Sequence, residues 1–262
     1  MNRQIAGDSG SYDNEFYADQ APGSQRSANV ILPLVFELNQ PQSLVDVGCG
    51  IGTWLRVAKE LGVPTVLGVD GEYALSSGLL IDKDEFKPAD LRLPLPDLGR
   101  RFDMAMSLEV AEHLPRERAQ DLVNELCNLA DVIMFSAAIP GQGGTDHINL
   151  QAQSVWIERF AANGYQPFDL IRSRVWDETS VEPWYRQNVL VYVHENSAEF
   201  IARAAELEAA APRIFDVAHP DLVAFWERRA TRPVSVGQGI GLTVRAAKTA
   251  VGRRVSALRS RN

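Results

Sequence analysis

An apolar strand that runs straight into alternating glycines leaves a backbone few choices. In VDVGCGIGTW (residues 45–54), Gly48, Gly50 and Gly52 stand at every second position. Each can take backbone angles that a side chain would forbid, so the chain can turn sharply there. The same positions let a ligand approach the main chain closely. The TWLRVAKELG segment that follows has helical apolar spacing, and Gly62 stands ready as its C-cap. A helix starting on a glycine turn presents free N–H groups and a positive dipole end to an anionic group.

The remaining pattern extends this strand–turn–helix unit into a sheet. Apolar strands are expected at 43–48, 65–70, around Phe86, 102–108, 131–138, 165–171 and 187–194. Helical spacing appears at 27–39 with Ser27 as N-cap, at 53–62, at 115–130 with Pro115 in the first turn, and at 154–164. Strands alternating with helices predict an α/β fold: a mainly parallel sheet covered on both faces. Three segments are expected: an N-terminal arm and helix (1–42), a ligand-binding domain (43–194), and a helical extension with a basic tail (195–262). Tyr12 and Tyr17 lie in the polar arm, where they suit a lid over a ligand.

Asp70 stands 22 residues after Gly48, at the end of the second strand, and is followed by Gly71. A carboxylate there suits a ribose diol, because it can accept both hydroxyl protons. The loop and the acid together predict an adenosine-containing ligand. The dinucleotide fingerprint spaces its glycines G-x-G-x-x-G, whereas these read G-x-G-x-G with Asp46 two residues ahead. That spacing favours S-adenosylmethionine over NAD, whose oxidoreductases are the rival class.

Four motifs in order now resemble the class I S-adenosylmethionine-dependent methyltransferases. VDVGCGIG is similar to their first motif, GVDG to the acidic second, ADL at 89–91 to the adenine-side motif, and RFDMAMSLEVAEHLP to the fourth-strand motif of the ubiquinone and secondary-metabolite branch. The resemblance runs from Leu44 to His194. It implies a Rossmann-like seven-stranded sheet with its last strand antiparallel. It also implies a cofactor site of Asp46, Gly48, Cys49, Gly50, Asp70, Gly71, Asp90, Leu91, Ser107 and Glu109. Asp90 is then expected to bond the adenine amino group and the Leu91 amide to face a ring nitrogen. The product is S-adenosylhomocysteine.

Methyl transfer needs an aligned nucleophile and, for a hydroxyl, a route for its proton. His113 follows the fourth strand and His147 lies in the loop after the fifth, so both can face one pocket. Three readings stay open. One imidazole is a general base, with an ordinary pKa near ~6.5. Alternatively, Glu109, Glu112, His113 and His147 hold a divalent metal, as the similar E-x-x-E-H pattern does in small-RNA 2′-O-methyltransferases. Or the two glutamates only cap the following helix. The acceptor is expected to be a small-molecule or glycan hydroxyl, with an amine as the in-class alternative and a non-catalytic cofactor-binding module as the alternative outside it.

Composition narrows the partners. A formal net charge of −8 argues against nucleic acid. Only Cys49 and Cys127 are present, without metal-type spacing, which fits a reducing, cytoplasmic setting. Cys49 has no base nearby in sequence and does not read as a nucleophile. The N-terminus is polar and is not a signal peptide, and no apolar run is long enough to cross a bilayer. Residues 245–262 carry six Lys/Arg and no Asp/Glu, a pattern that suits a peripheral membrane or partner contact. Arg26 is a candidate for the cofactor carboxylate or an acidic substrate. Trp176, Trp184 and Tyr185, between the last two strands, are candidates for acceptor contacts.

Overall fold

The computed structural model describes residues 14–144, 146–208 and 214–224. The chain divides into two compact units, Met1–Val223 and Ala224–Asn262. The basic 245–262 segment and Tyr12 lie outside the described residues.

The first unit is built on seven strands: β1 Ser43–Val47, β2 Thr65–Asp70, β3 Phe86–Pro88, β4 Met104–Leu108, β5 Val132–Ser136, β6 Tyr165–Phe168 and β7 Leu190–His194. Their order in the sheet is β3-β2-β1-β4-β5-β7-β6. β1 to β5 are parallel, while β7 runs antiparallel against both β5 and β6. The expected strand count and antiparallel last strand are both present. Pro167 is tolerated in β6 because that strand is an edge, where a missing N–H costs little.

β1, β4 and β5 are buried at every position, as a parallel sheet covered on two faces requires. Alternate residues feed two cores. Leu44, Met104, Met106 and Met134 pack with α1 (Asn14–Phe36) and α2 (Thr53–Glu60). Val45, Ala105, Ile133 and Phe135 pack on the other face, with helices that follow β4 and β5. A short helix α3 (Tyr73–Ser76) follows β2. The covering helices of the second face are α4 (Ala119–Leu129) and α5 (Gln153–Ala161). Between β6 and β7 the chain forms α6 (Arg172–Val175) and α7 (Pro183–Asn188), and α8 (Ala198–Leu207) follows β7.

One element differs from the sequence reading. α1 begins at Asn14, not at Ser27, so residues 14–23 are helical and not an extended arm. Pro22 and Gly23 suggest a break, but tertiary contacts hold the turn that contains them. The Ser27 hydroxyl donates to the Gly23 carbonyl (2.8 Å) and accepts the Glu182 amide (3.0 Å), so it is a buried mid-helix tie and not a cap. Arg26 bonds Glu182 across the same contact (3.0 Å). Tyr17 enters only as helical backbone of α1.

The second core holds an aromatic cluster that fixes β5 against β7 and α5. Phe160 stacks on Tyr192 at 3.9 Å and meets Phe135 edge-on at 5.3 Å. All three rings are fully buried. Phe160→Ala should therefore cost ~3–5 kcal/mol in chemical denaturation, the range for a buried aromatic truncated to Ala. A loss below ~1 kcal/mol would mean that the cluster repacks around the gap.

Candidate active site

The parallel strands end on one side of the sheet, where loops gather the polar residues. The glycine loop comes first. Gly48, Gly50 and Gly52 take φ values of 91°, 55° and 85°, which L side chains rarely adopt. A Cβ on Gly48 would also overlap the side chain of Val110, just past β4. The Gly48 amide donates to the Val69 carbonyl of β2 (2.8 Å). No side chain caps the start of α2.

Asp70 ties this loop to the sheet. Its Oδ2 accepts the Gly50 amide (2.7 Å), and its Oδ1 accepts the Gly71 amide (2.7 Å) and the Tyr73 hydroxyl. Burial raises its pKa, and those three donors oppose the rise. Two acceptor sites on Oδ1 and one on Oδ2 are thus filled, which leaves one lone pair on Oδ2 for a ligand hydroxyl. Asp46 is buried in β1, and burial together with the Asp70 charge lifts its pKa well above the carboxylate range. Burial likewise pushes the Cys49 thiol well up, and its Sγ donates to the Gly50 carbonyl (3.4 Å), as befits an inert packing residue.

Asp90 and Leu91 follow β3. The Asp90 carboxylate is held by the Arg92 guanidinium (2.9 and 2.8 Å) and backbone amide (3.0 Å), which hold its pKa below the usual range. The Leu91 carbonyl accepts from Arg118 (3.1 Å), which also bonds the Leu93 carbonyl and Glu125. Buried Arg118 shapes this loop from α4's start, a role without a local sequence signal.

β4 delivers Ser107 and, just past its end, Glu109. The Ser107 hydroxyl is buried without a partner. Glu109 sits at φ 56°, an uncommon angle for a side chain of its size. Its amide is held by the Ser136 carbonyl (3.0 Å) and hydroxyl (3.1 Å). Its carboxylate accepts Asn188 (3.0 and 3.3 Å) and Gln142 (3.1 Å), and Asn188 also donates to Gln142 Oε1 (3.0 Å). Gln142 lies in the glycine-rich loop after β5 and Asn188 ends α7. Burial raises the Glu109 pKa, and the amide donors pull it back.

Next comes the imidazole pair. A 3₁₀ turn, Ala111–His113, carries Glu112 and His113. The Glu112 carbonyl accepts the amides of Ile148 (2.9 Å) and Asn149 (3.0 Å), and Asn149 Nδ2 returns to the Ala111 carbonyl (3.1 Å). These bonds staple the β5–α5 loop onto the β4 end. His113 and His147 consequently meet edge-to-face, with ring centroids 4.8 Å apart. Asp146 at φ 57° makes the turn that aims His147, and a Cβ on Gly144 would overlap the His147 ring. Burial pushes His113 down to about 4, with the neighbouring His147 adding to the fall. Burial also lowers His147, against the pull of Asp146. Glu112 is fully buried, and burial plus the Glu109 charge raise its pKa well above the ordinary value. One donor atom each from Glu112, His113 and His147 lies within 4.8 Å of the others. Glu109, whose carboxylate is taken up by Gln142 and Asn188, is not in that group.

The other sequence candidates lie on α1 and in the segment between β6 and β7. Trp176 packs on His219 (centroids 4.2 Å) and faces the 214–224 segment. Tyr185 is buried against Trp54 (5.1 Å), its hydroxyl 3.3 Å from Ser24. Arg26 pairs with Glu182. Tyr73, Gln142 and Asn188 were not legible as site residues. Only QN before the apolar run VLVYV hinted at buried polar groups.

Comparison with known proteins places this arrangement. Residues 20–170 match a family model described as a methyltransferase domain. A probable tocopherol O-methyltransferase of rice (Oryza sativa subsp. japonica) is 39% identical over 101 residues, covering 35% of this chain and 26% of that protein. The match thus spans about a quarter of the rice protein's length. A sugar N-methyltransferase from a Streptoalloteichus species superposes with a TM-score of 0.57 at 16% identity, covering 74% of this chain and 97% of that one. An O-methyltransferase family protein from Burkholderia thailandensis gives 0.52 at 10% identity, covering 69% and 58%. The two structures share the fold.

The loop geometry is testable on its own. Gly48→Ala should destabilise by ~1–3 kcal/mol through its backbone angle, with more from the overlap with Val110. Val110→Ala in the same chain should recover the overlap part. Strictly additive losses in a double-mutant cycle would show that the two positions do not collide.

Proposed function

The chain belongs to the class I S-adenosylmethionine-dependent methyltransferases, and we propose that it methylates a hydroxyl of a small-molecule or carbohydrate acceptor. The observation that carries the acceptor chemistry is the His113–His147 pair, set at the ends of adjacent strands beside the glycine loop. The cofactor, when bound, supplies an electrophilic methyl on a sulfonium and departs as a neutral thioether.

The residues present fit that cofactor. Gly48, Gly50 and Gly52 add no side chain to the loop, and a Cβ on Gly48 would already collide with Val110. Asp70 keeps one lone pair for a ribose hydroxyl. Gly48, Cys49, Gly50 and Gly71 would line the cradle, with Asp46 and Ser107 beneath it and Asp90 and Leu91 on the adenine side. Tyr73 and Arg92, which bond Asp70 and Asp90, share those carboxylates with the ligand or yield to it.

A hydroxyl acceptor needs a place for its proton. Both imidazoles are neutral at pH 7, since both pKa values lie below the ordinary one. His147 Nδ1 is buried without a hydrogen-bond partner, so a lone pair or proton there is uncommitted. His147 is the better acceptor of the two, because burial and the neighbouring imidazole hold His113 down to about 4. The acidic surroundings and the free, buried cysteines support a cytoplasmic enzyme without a nucleic-acid substrate. Among the described residues, no helix is long and apolar enough to cross a membrane.

A second reading draws on the Glu112, His113 and His147 cluster, which can offer one carboxylate oxygen and two imidazole nitrogens to Mg²⁺, Mn²⁺ or a later transition metal. The three donor atoms lie within 4.8 Å of one another, which favours this reading. The metal would then hold the acceptor hydroxyl and lower its pKa. N-methylation of an amine needs less of either device.

His147→Ala is expected to lower turnover ~10²–10⁴-fold, and His113→Ala to follow, while S-adenosylhomocysteine affinity stays nearly intact. Full turnover in both variants would remove the base. Because the folded pKa is depressed, the neutral base persists below pH 6.5, and activity should fall only in more acidic buffer. For the metal, EDTA should abolish turnover and Mg²⁺ or Mn²⁺ restore it. Activity indifferent to chelation ends that reading.

A further inference from the structure

Three carboxylates surround the glycine loop at the strand ends: Asp46, Asp70 and Glu109. Among the described residues, no ion pair involves any of them. They are not equally able to meet a ligand. Asp46 is 2% exposed, inside β1. Asp70 already carries three donors of its own chain. Glu109 keeps accessible surface, and the groups bonded to its carboxylate include no cation: they are the Asn188 and Gln142 amides and the side chains of Ser136 and Glu112.

Those amides have a defined direction. A carboxylate only accepts, so Gln142 and Asn188 must both turn their NH₂ groups toward it. Asn188 spends its second hydrogen on Gln142 Oε1, and that oxygen also accepts the Ile139 amide (3.2 Å). Both amide side chains are nearly or wholly buried, at 4% and 0% exposure. The three groups therefore form a closed unit that fixes the carboxylate in place. Its backbone is also held against an unfavourable φ by Ser136. Strain of this kind persists only where surrounding bonds enforce it, and it clusters where ligands are clamped. Neutral donors orient the carboxylate without cancelling its charge, so the unit complements a cation.

Glu109 is placed for one end of the cofactor in particular. Asp70 ends β2, the glycine loop follows β1, and Glu109 follows β4, so the three succeed one another across neighbouring strands. Neighbouring strands lie ~4.8 Å apart, and Val110 touches the space over Gly48. A ligand whose ribose rests at Asp70 and whose chain crosses the glycines brings its amino-acid end to Glu109. We propose that the Glu109 carboxylate, positioned by Gln142 and Asn188, receives the α-ammonium of the cofactor. This rests on the methyltransferase reading and adds Gln142 and Asn188 as positioning residues.

Calorimetric binding to the full-length protein tests it with three named ligands. S-adenosylhomocysteine carries the ammonium. Its deaminated analogue, with hydrogen in place of the amino group, does not. 5′-Methylthioadenosine lacks the whole amino-acid end. On the unmodified protein the deaminated analogue should bind ~10- to 100-fold more weakly than S-adenosylhomocysteine, the range for one hydrogen bond to a charged group. Glu109→Gln should narrow that preference to less than ~3-fold. Asn188→Ala and Gln142→Ala should weaken S-adenosylhomocysteine ~3- to 10-fold. 5′-Methylthioadenosine should bind all variants alike, whereas damage to the cradle would weaken both ligands together. Equal affinity of the unmodified protein for S-adenosylhomocysteine and the deaminated analogue overturns the proposal. So does a Glu109→Gln variant that keeps the full preference. If 5′-methylthioadenosine and S-adenosylhomocysteine both fail to bind, the cofactor reading itself fails, which is a separate outcome.

Discussion

The bond from the Gly50 amide to the Asp70 carboxylate, 2.7 Å long, holds the functional end of this fold together. It closes a ring that runs from the glycine loop through α2 and along β2, which lies parallel to β1. Without it, the turn would rest on the Gly48–Val69 bond and the packing of α2. With it, one carboxylate both shapes the loop and offers its remaining lone pair outward. That double use explains why the glycines and the acid had to be read together. Neither constrains the chain alone: glycines make a flexible turn, and an isolated buried aspartate is a cost.

The β4 and β5 ends use a different device. There the turns contain side chains at positive φ, Glu109 and Asp146, where glycine would be easier. Each such residue costs about 1–3 kcal/mol and has to be over-determined by its neighbours. Ser136 does this for Glu109 with both of its oxygens. For the second loop, the staple from Ile148 and Asn149 to the Glu112 carbonyl sets the approach to His147. The two strained turns share that staple through Glu112, so the carboxylate cluster and the imidazole pair are mechanically one object. A change at Asn149, two residues past His147, therefore bears on the geometry of both.

What could be read from residues alone follows the range of the interactions. Strand cores were legible because burial on two faces forces continuous apolar runs. Their edges were less so: Phe102 continues the run before β4, yet its amide bonds Leu129 and not a strand partner. His113 and His147 could be paired because adjacent parallel strands deliver their loops to the same side. Gln142 and Asn188 could not be found that way. Their partner, Glu109, is 33 and 79 residues distant, and amides carry no periodicity. α1 failed for a related reason. Pro22 and Gly23 are local breakers, and their helical state is enforced by Ser27, Arg26 and Glu182 across α7. Of the four residues in the alternative metal set, Glu112, His113 and His147 cluster, while Glu109 is bonded by the Gln142 and Asn188 amides.

The same distances set the charge of the cleft. Glu112 is fully buried and close to the Glu109 charge, so burial drives it to hold its proton, and the two imidazoles lose theirs for the same reason. A cleft of this kind is left with charge only where donors are built in. Asp70 has three of them and Glu109 has two amides. Neither set contains a cation, and burial raises the pKa of both carboxylates. Ionising both in a cavity of low dielectric opposes folding, and a ligand with a cationic end relieves that cost. Binding and stability are then linked: under the proposed cofactor reading, the ligand stabilises the folded chain through its charge as well as its contacts. That linkage follows from the absence of Lys or Arg ion pairs to these carboxylates among the described residues. A lysine placed beside Glu109 would stabilise the empty protein while removing the site's preference for a cation.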